Sequence, residues 1–118
     1  MSIDNALASL AVKDLGTAIP WYEALLGRAA DSSPMPTLAE WKFPGGGGLQ
    51  VYHLPERAGE GSVTLVVSDI DDVVAHVGTL GIDTSQRTSG ETVKTLMIAD
   101  PDGNHIAFAQ AMEEGLLR

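Results

Sequence analysis

Three histidines are the residues in this chain best suited to metal binding or acid–base chemistry. His76 falls on a predicted helix one turn after Asp72, where a solvated position is expected. His53 falls on a predicted hairpin strand and is expected to be exposed. His105 begins another predicted strand, where a solvated or hydrogen-bonded role is favoured over metal ligation. The histidines by themselves therefore do not predict a metal site.

A run of four glycines, Gly45–Gly48, follows Pro44 between two predicted strands. Glycine loops that cradle phosphate are followed by Lys and Ser or Thr at the start of a helix, and neither follows here. A flexible hairpin turn is therefore favoured. The chain contains no cysteine, which excludes disulfides, thiolate metal sites and cysteine nucleophiles and fits a reducing, cytoplasmic compartment.

The formal net charge is −9, from 7 basic and 16 acidic residues. The basic residues are scattered singly, whereas nucleic-acid binding requires clustered Lys and Arg, so no nucleic-acid partner is expected. We expect no membrane span and no signal peptide, because the sequence lacks the apolar segments that both require. The acidic surface favours solubility, and it would also favour a neutral or cationic ligand.

The elements that must position these residues occur twice along the 118 residues, at an offset of about 55. Each copy predicts a buried strand, an aspartate that caps a helix, and a glycine just past the helix end. These are residues 6–12, Asp14 and Gly27 in the first copy and residues 63–67, Asp69 and Gly81 in the second.

Strand-rich sequence follows each helix. The two longer predicted strands are Thr37–Phe43 and Leu49–Leu54 in the first copy, and Thr92–Ala99 and His105–Gln110 in the second. A short strand is also predicted near Arg28–Ala30 in the first copy and near Asp83–Arg87 in the second. The sequence therefore predicts a single domain, 1–118, of two βαβββ modules, about residues 5–55 and 62–111.

Pro20 interrupts the first helical pattern, because proline lacks an amide donor and crowds the carbonyl four residues earlier. Two interpretations are open. Either Gly16 at that position limits the crowding, or the helix begins at Thr17 and Pro20 lies in its first turn.

Four motifs along nearly the whole chain carry a resemblance to a known family. They are Val12-Lys13-Asp14-Leu15, Trp21-Tyr22-Glu23-Ala24-Leu25-Leu26-Gly27, Val67-Ser68-Asp69-Ile70 and Asp100-Pro101-Asp102-Gly103-Asn104-His105-Ile106. Together they resemble the vicinal oxygen chelate superfamily, which includes glyoxalase I, bleomycin-resistance proteins and extradiol dioxygenases. The resemblance implies an α+β fold, in which a mixed sheet curls into a cup and the helices lie on its outer face. It says little about chemistry, because one fold hosts many functions.

Strand alternation divides the strand residues between the cup and the helices. The helix-facing set is predicted to be Ala8, Leu10, Val12, Val51, Val66, Ile106 and Phe108. The predicted ligand-binding residues are Leu7, Trp41, Gln50, Tyr52, Val63, Leu65, His105 and Ala107. Trp41 and Phe43 share a face of their strand, and ordinary core packing is an equally good interpretation for both.

Metal-dependent members of this superfamily place four cup-facing ligands on the first, fourth, fifth and eighth strands. The motifs align these positions with Leu7, Gln50, Val63 and Ala107, with Ser62 replacing Val63 if the strand slips by one residue. Three of the four residues are aliphatic, whereas a catalytic divalent ion needs about three protein donors. We therefore expect neither a metal nor another cofactor.

These expectations favour a metal-independent binding protein of the glyoxalase/bleomycin-resistance type, which sequesters an antibiotic or metabolite of cationic or aromatic character. The alternative is a lyase, isomerase or dioxygenase-like enzyme with an atypical metal site or with acid–base chemistry at His105, Tyr52 or Glu40. The resemblance also implies a homodimer. Whether the modules pair within one chain or between two stays open.

Overall fold

The structure is a computed structural model that describes residues 1–112. The first module contains β1 (Ala8–Val12), α1 (Leu15–Leu26), β2 (Ser32–Met35), β3 (Leu38–Lys42) and β4 (Gly48–His53). A 3-10 turn, Pro55–Arg57, follows. The second module contains β5 (Ser62–Val66), α2 (Ile70–Thr79), β6 (Arg87–Ser89), β7 (Val93–Ala99) and β8 (His105–Ala111). The predicted α+β fold with a repeated βαβββ order is confirmed.

The described residues form two units: residues 1–61 with 101–104, and residues 62–100 with 105–112. Each unit contains one four-stranded sheet, with the order β1-β4-β3-β2 in the first and β5-β8-β7-β6 in the second. The first strand of each sheet pairs in parallel with the last strand of its module, and the other pairings are antiparallel. The two sheets therefore repeat the same topology.

Aspartate side chains cap both helices, as the sequence predicts. Asp14 accepts a hydrogen bond from Gly16 N at 3.1 Å, and Asp69 accepts from the amides of the first turn of α2. Helix α1 begins at Leu15, so Pro20 lies inside it rather than in the first turn of a shorter helix. The first interpretation of Pro20 is therefore correct, since glycine at position 16 has no side chain to add to the crowding.

The short strand of the first module is β2 at Ser32–Met35, not Arg28–Ala30. Arg28 Nη1 contacts both carboxylate oxygens of Asp31 at 2.8 Å, and Asp31 Oδ2 accepts from Lys42 N at 2.6 Å. These bonds hold the residues before β2 in a loop beside the end of β3. The hydrogen bonds from Arg28 and Lys42 also lower the pKa of the Asp31 carboxyl.

The short strand of the second module is β6, which overlaps the predicted range only at Arg87. The Asp83 side chain accepts hydrogen bonds from Ser85 N at 2.9 Å and Ser85 Oγ at 3.0 Å. This local turn precedes the ladder, and Gln86 O already accepts from Met97 N of β7 at 2.9 Å. The same two bonds lower the pKa of the Asp83 carboxyl.

One face of each sheet packs against its helix, and we call it the helix face. In the first unit it carries the buried side chains of Leu10, Val12, Trp41, Leu49 and Val51. In the second unit it carries Val63, Leu65, Leu96, Ile98, Ile106 and Phe108. The opposite face of each sheet, which we call the open face, carries the alternate residues of the same strands.

The turn between β7 and β8 belongs to the first unit. Asn104 is fully buried there; its Nδ2 donates to Ala11 O at 2.8 Å and its Oδ1 accepts from Gly61 N at 2.9 Å. Asp102 Oδ2 accepts from Lys13 N at 3.0 Å. The Asp-Pro-Asp-Gly-Asn motif is therefore a turn whose polar side chains hold the end of β1.

Candidate functional site

A row of three polar side chains crosses the open face of the first sheet. The strand register places Ser9 of β1 beside Gln50 of β4, and Gln50 beside Glu40 of β3. Ser9 Oγ donates to Gln50 Oε1 at 3.0 Å, and Gln50 Nε2 donates to Glu40 Oε2 at 3.0 Å. The amide of Gln50 is thus fixed by hydrogen bonds at both ends.

Glu40 is the charged member of this row, and only 8% of its surface is exposed. Carboxylates are rarely buried to this extent without a paired charge. Within residues 1–112, Glu40 forms no ion pair, and Gln50 Nε2 is the one hydrogen-bond donor to its carboxylate. The carboxylate therefore keeps acceptor capacity for a further donor.

A recess of about 470 Å³ adjoins this row in the first unit. The recess is lined by Glu40, Lys42 and Phe43 of β3 and its end, and by Asn5, Leu7, Gly46 and Gly47. Leu7 and Phe43 supply apolar surface, while Glu40 and Lys42 supply opposite charges. The recess therefore combines an apolar wall with a few polar groups, which is typical of a small-molecule site.

The rim of the recess is fixed by Asn5. Its Oδ1 accepts hydrogen bonds from Gly47 N at 2.8 Å and from Ala6 N at 2.9 Å. Gly46 and Gly47 have φ of 89° and 74°, a conformation that side chains disfavour. The glycine run therefore forms the turn that the sequence predicts, and this turn borders the recess.

Trp41 does not lie on the open face, which corrects its prediction as a ligand-binding residue. Its side chain is fully buried on the helix face, its Nε1 donates to Arg28 O at 3.0 Å, and its ring lies 6.2 Å from that of Tyr22. Strand alternation gives Trp41 and Glu40 opposite faces. The core interpretation of Trp41 is therefore correct, whereas Phe43 lines the recess.

The predicted faces of β5 are also wrong. Val63 pairs with Ile106 and Leu65 pairs with Phe108. Val63 and Leu65 are therefore both buried on the helix face. Val66, predicted to face the helix, is instead 58% exposed. The internal repeat contains the correct signal, because the offset of 55 aligns the β5 residues with the helix-facing residues of β1.

The remaining predicted residues lie on the open faces. Gln50 and Tyr52 are half-buried on the first sheet, and Leu7 is 43% exposed beside it. Ala107 and His105 lie on the open face of the second sheet, where His105 borders a smaller recess of about 250 Å³ with Asp83 and Gln86. Ligand contact by these residues stays a prediction.

Asn5 and Lys42 line the recess but are missed by the sequence interpretation. Lys42 follows Glu40 by two residues, so strand alternation could have placed them on one face. Asn5 offers no comparable signal, since its contact with Gly47 depends on chain segments 42 residues apart. The sequence interpretation includes Glu40 only as an acid–base candidate.

The donor set does not fit the metal site of the metal-dependent relatives. With the corrected faces, the aligned open-face positions are Leu7 and Gln50 in the first unit, and Ser62 and Ala107 in the second. Divalent ions in proteins are held mainly by His, carboxylate and thiolate groups. Within residues 1–112, no three such side chains lie close enough together to hold a metal ion.

Neither helix within residues 1–112 is long and apolar enough to span a membrane.

Comparison of folds identifies the family. The glyoxalase/bleomycin resistance protein from Catenulispora acidiphila DSM 44928 is 34% identical to this chain, with a TM-score of 0.82. The match covers 91% of this chain and 97% of that protein. The chain therefore belongs to the glyoxalase/bleomycin resistance protein family, and the resemblance to the vicinal oxygen chelate superfamily is confirmed.

More distant structures share the fold. TnmS3, an antibiotic binding protein from Streptomyces sp. CB03234, is 23% identical with a TM-score of 0.78, over 94% of this chain and 98% of that one. The oxidase ChaP-H2 is 14% identical with a TM-score of 0.76, over 93% of this chain and 94% of that one. No protein-family model and no curated protein matches the sequence.

Proposed function

We propose that this protein binds a small organic molecule non-covalently, without a metal ion, and thereby sequesters an antibiotic or a metabolite. The observation that carries the proposal is the recess of about 470 Å³ in the first unit, where apolar surface adjoins a buried carboxylate. Its volume lies in the range of about 300–1,000 Å³ that is typical of small-molecule pockets.

The lining of the recess suits a ligand that is aromatic, cationic or both. Leu7 and Phe43 offer apolar contact area, which supplies affinity. Glu40 offers an acceptor that fixes orientation. The fold is shared with an antibiotic binding protein, which supports a binding role for this architecture. The net charge of −9 also favours a cationic ligand over an anionic one.

The proposal includes a homodimer in the cytoplasm. A homodimer is common among family members of this length, and the lack of cysteine fits a reducing compartment. Sedimentation analysis of the purified protein tests the dimer directly. A monomer at all concentrations up to about 100 µM, about a hundredfold above a micromolar dissociation constant, would refute that part of the proposal.

An enzyme is the second candidate, and it is favoured by the position of Glu40. A carboxylate that borders a recess can abstract a proton from a bound substrate if the two come within hydrogen-bond reach. A lyase or isomerase of this kind would convert the bound compound, whereas a sequestering protein would return it unchanged.

The function is tested by a thermal-shift screen with cationic glycopeptides and aromatic amines, followed by mass spectrometry of each compound that stabilises the protein. We expect at least one compound to raise the unfolding temperature and to be recovered unchanged. No stabilisation by any compound would contradict binding, and conversion would favour the enzyme. A stoichiometric divalent ion in protein purified without chelator would contradict metal independence.

A further inference from the structure

We propose that Glu40 is the recognition residue for a protonated amine on the ligand, with Gln50 as the residue that positions it. This inference rests on the proposed function and names the chemical class of ligand for the same recess. It is carried by three observations: the burial of Glu40, the hydrogen-bonded row that holds it, and the difference between the two modules in this row.

The buried carboxylate of Glu40 has one neutral hydrogen-bond donor among residues 1–112. A buried carboxylate loses hydration, and a single neutral amide donor replaces only part of it. No Lys, Arg or His within residues 1–112 forms an ion pair with Glu40. A ligand ammonium would supply both the missing charge and further hydrogen-bond donors.

The row of side chains fixes the carboxylate before a ligand arrives. Ser9 Oγ donates a hydrogen bond to Gln50 Oε1 at 3.0 Å. This bond directs Gln50 Nε2 toward Glu40 Oε2. Hydrogen bonding to Oε2 leaves Oε1 available to a donor in the recess. A carboxylate held in this way loses less side-chain entropy on binding than a free one.

The second module shows that the fold does not require this charge. The two sheets have the same strand pairings, so their rows can be compared position by position. Ser9, Gln50 and Glu40 of the first sheet correspond to Thr64, Ala107 and Met97 of the second. The second row contains no charged side chain, although its sheet has the same topology. This difference between the modules supports a ligand-binding role for the charge in the first row.

Lys42 lies on the same face of β3 as Glu40 and lines the same recess, but the two form no ion pair. Its ammonium raises the local positive potential and competes with a cationic ligand for Glu40. Removal of the Lys42 charge is therefore expected to strengthen amine binding. An anionic ligand would show the opposite response.

Three probes of matched shape test the inference by calorimetry: 2-phenylethylammonium, 2-phenylethanol and phenylacetate. We expect the wild-type protein to bind the ammonium at least about tenfold more tightly than the alcohol, as for a hydrogen bond between charged groups. Glu40→Gln should remove this preference. Glu56→Gln, which removes an exposed charge on the 3-10 turn, should preserve it.

Lys42→Met serves as the second variant. Tighter binding of the ammonium agrees with the inference, and unchanged or weaker binding overturns it. Equal affinity of the wild-type protein for the ammonium and the alcohol, or an unchanged preference in Glu40→Gln, also overturns it while leaving the proposed binding function intact. If none of the three probes binds, the inference is overturned. The proposed function fails only if the wider screen also finds no stabilising compound.

Discussion

Gln50 Nε2 lies 3.0 Å from Glu40 Oε2 on the open face of the first sheet. The two residues are direct neighbours in the register of β3 and β4. Because Gln50 is fixed in turn by Ser9, a change at Ser9 should reach the recess through Gln50 without touching the ligand.

Ser9→Ala tests this relay. Loss of the hydroxyl frees one end of the Gln50 amide, and a neutral hydrogen bond contributes about 0.5–1.5 kcal/mol. We expect 2-phenylethylammonium binding to weaken about two- to tenfold, less than in Glu40→Gln. Calorimetry measures the change, with Ser68→Ala at an exposed position as the control. An affinity equal to that of the wild type would show that Ser9 does not position Gln50.

Asn104→Ala should destabilise the protein by about 2–4 kcal/mol, because it removes two hydrogen bonds of a fully buried side chain and leaves Ala11 O and Gly61 N without these partners. Asn5→Ala is the matched control, since the Asn5 side chain also forms two hydrogen bonds, both as acceptor, but is exposed. It should cost less than about 1 kcal/mol. Chemical denaturation measures both. Similar losses in the two variants would contradict the importance of the buried contacts.

Trp41→Phe should lower stability by about 1–3 kcal/mol through lost packing and the lost bond to Arg28 O. Because Trp41 lies on the helix face, the affinity for 2-phenylethylammonium should stay within about twofold of the wild type. Trp21→Phe, at a half-buried position on α1, is the control. A tenfold loss of affinity in Trp41→Phe with unchanged stability would restore Trp41 as a ligand-binding residue.

Asp31 gives a pH-dependent prediction. Hydrogen bonds from Arg28 and from Lys42 N lower its pKa below the ordinary 3.8. The stabilisation is therefore present above pH 3.8 and is lost as the pH falls through the lower folded-state value. Asp31→Asn should melt at a lower temperature than the wild type at pH 7, and the difference should shrink below pH 3.8. Asp4→Asn, which removes an exposed charge, is the control. A difference that stays constant down to pH 2 would contradict this assignment.

The fold could be predicted from the sequence because its signals are local. Asp14 and Asp69 mark the starts of the helices, and Gly27 and Gly81 mark their ends. Both modules can therefore be recognised from the sequence alone. The short strands β2 and β6 could not be placed in this way. Their limits depend on side-chain contacts of Asp31 with Lys42 and of Asp83 with Ser85, which redirect the backbone before the ladder begins.

The candidate site was less predictable, because it depends on which strand residues face which way. A shift of one residue exchanges the two faces of a strand, and this error misplaced Val63 and Leu65. Gln50 and Leu7 could be anticipated from the motifs. The hydrogen bond from Gln50 to Glu40 could not, because it requires the register between β3 and β4.

The central claim is that the recess in the first unit binds the ligand. The most direct test is amide NMR of labelled protein, titrated with 2-phenylethylammonium. We predict saturable shift changes at Leu7, Lys42, Phe43, Gly46 and Gly47, which border this recess. Amides of Ile82 and Asp83, beside the smaller recess of the second unit, should stay unchanged. Shift changes confined to the second unit, or changes that do not saturate, would contradict the proposed site.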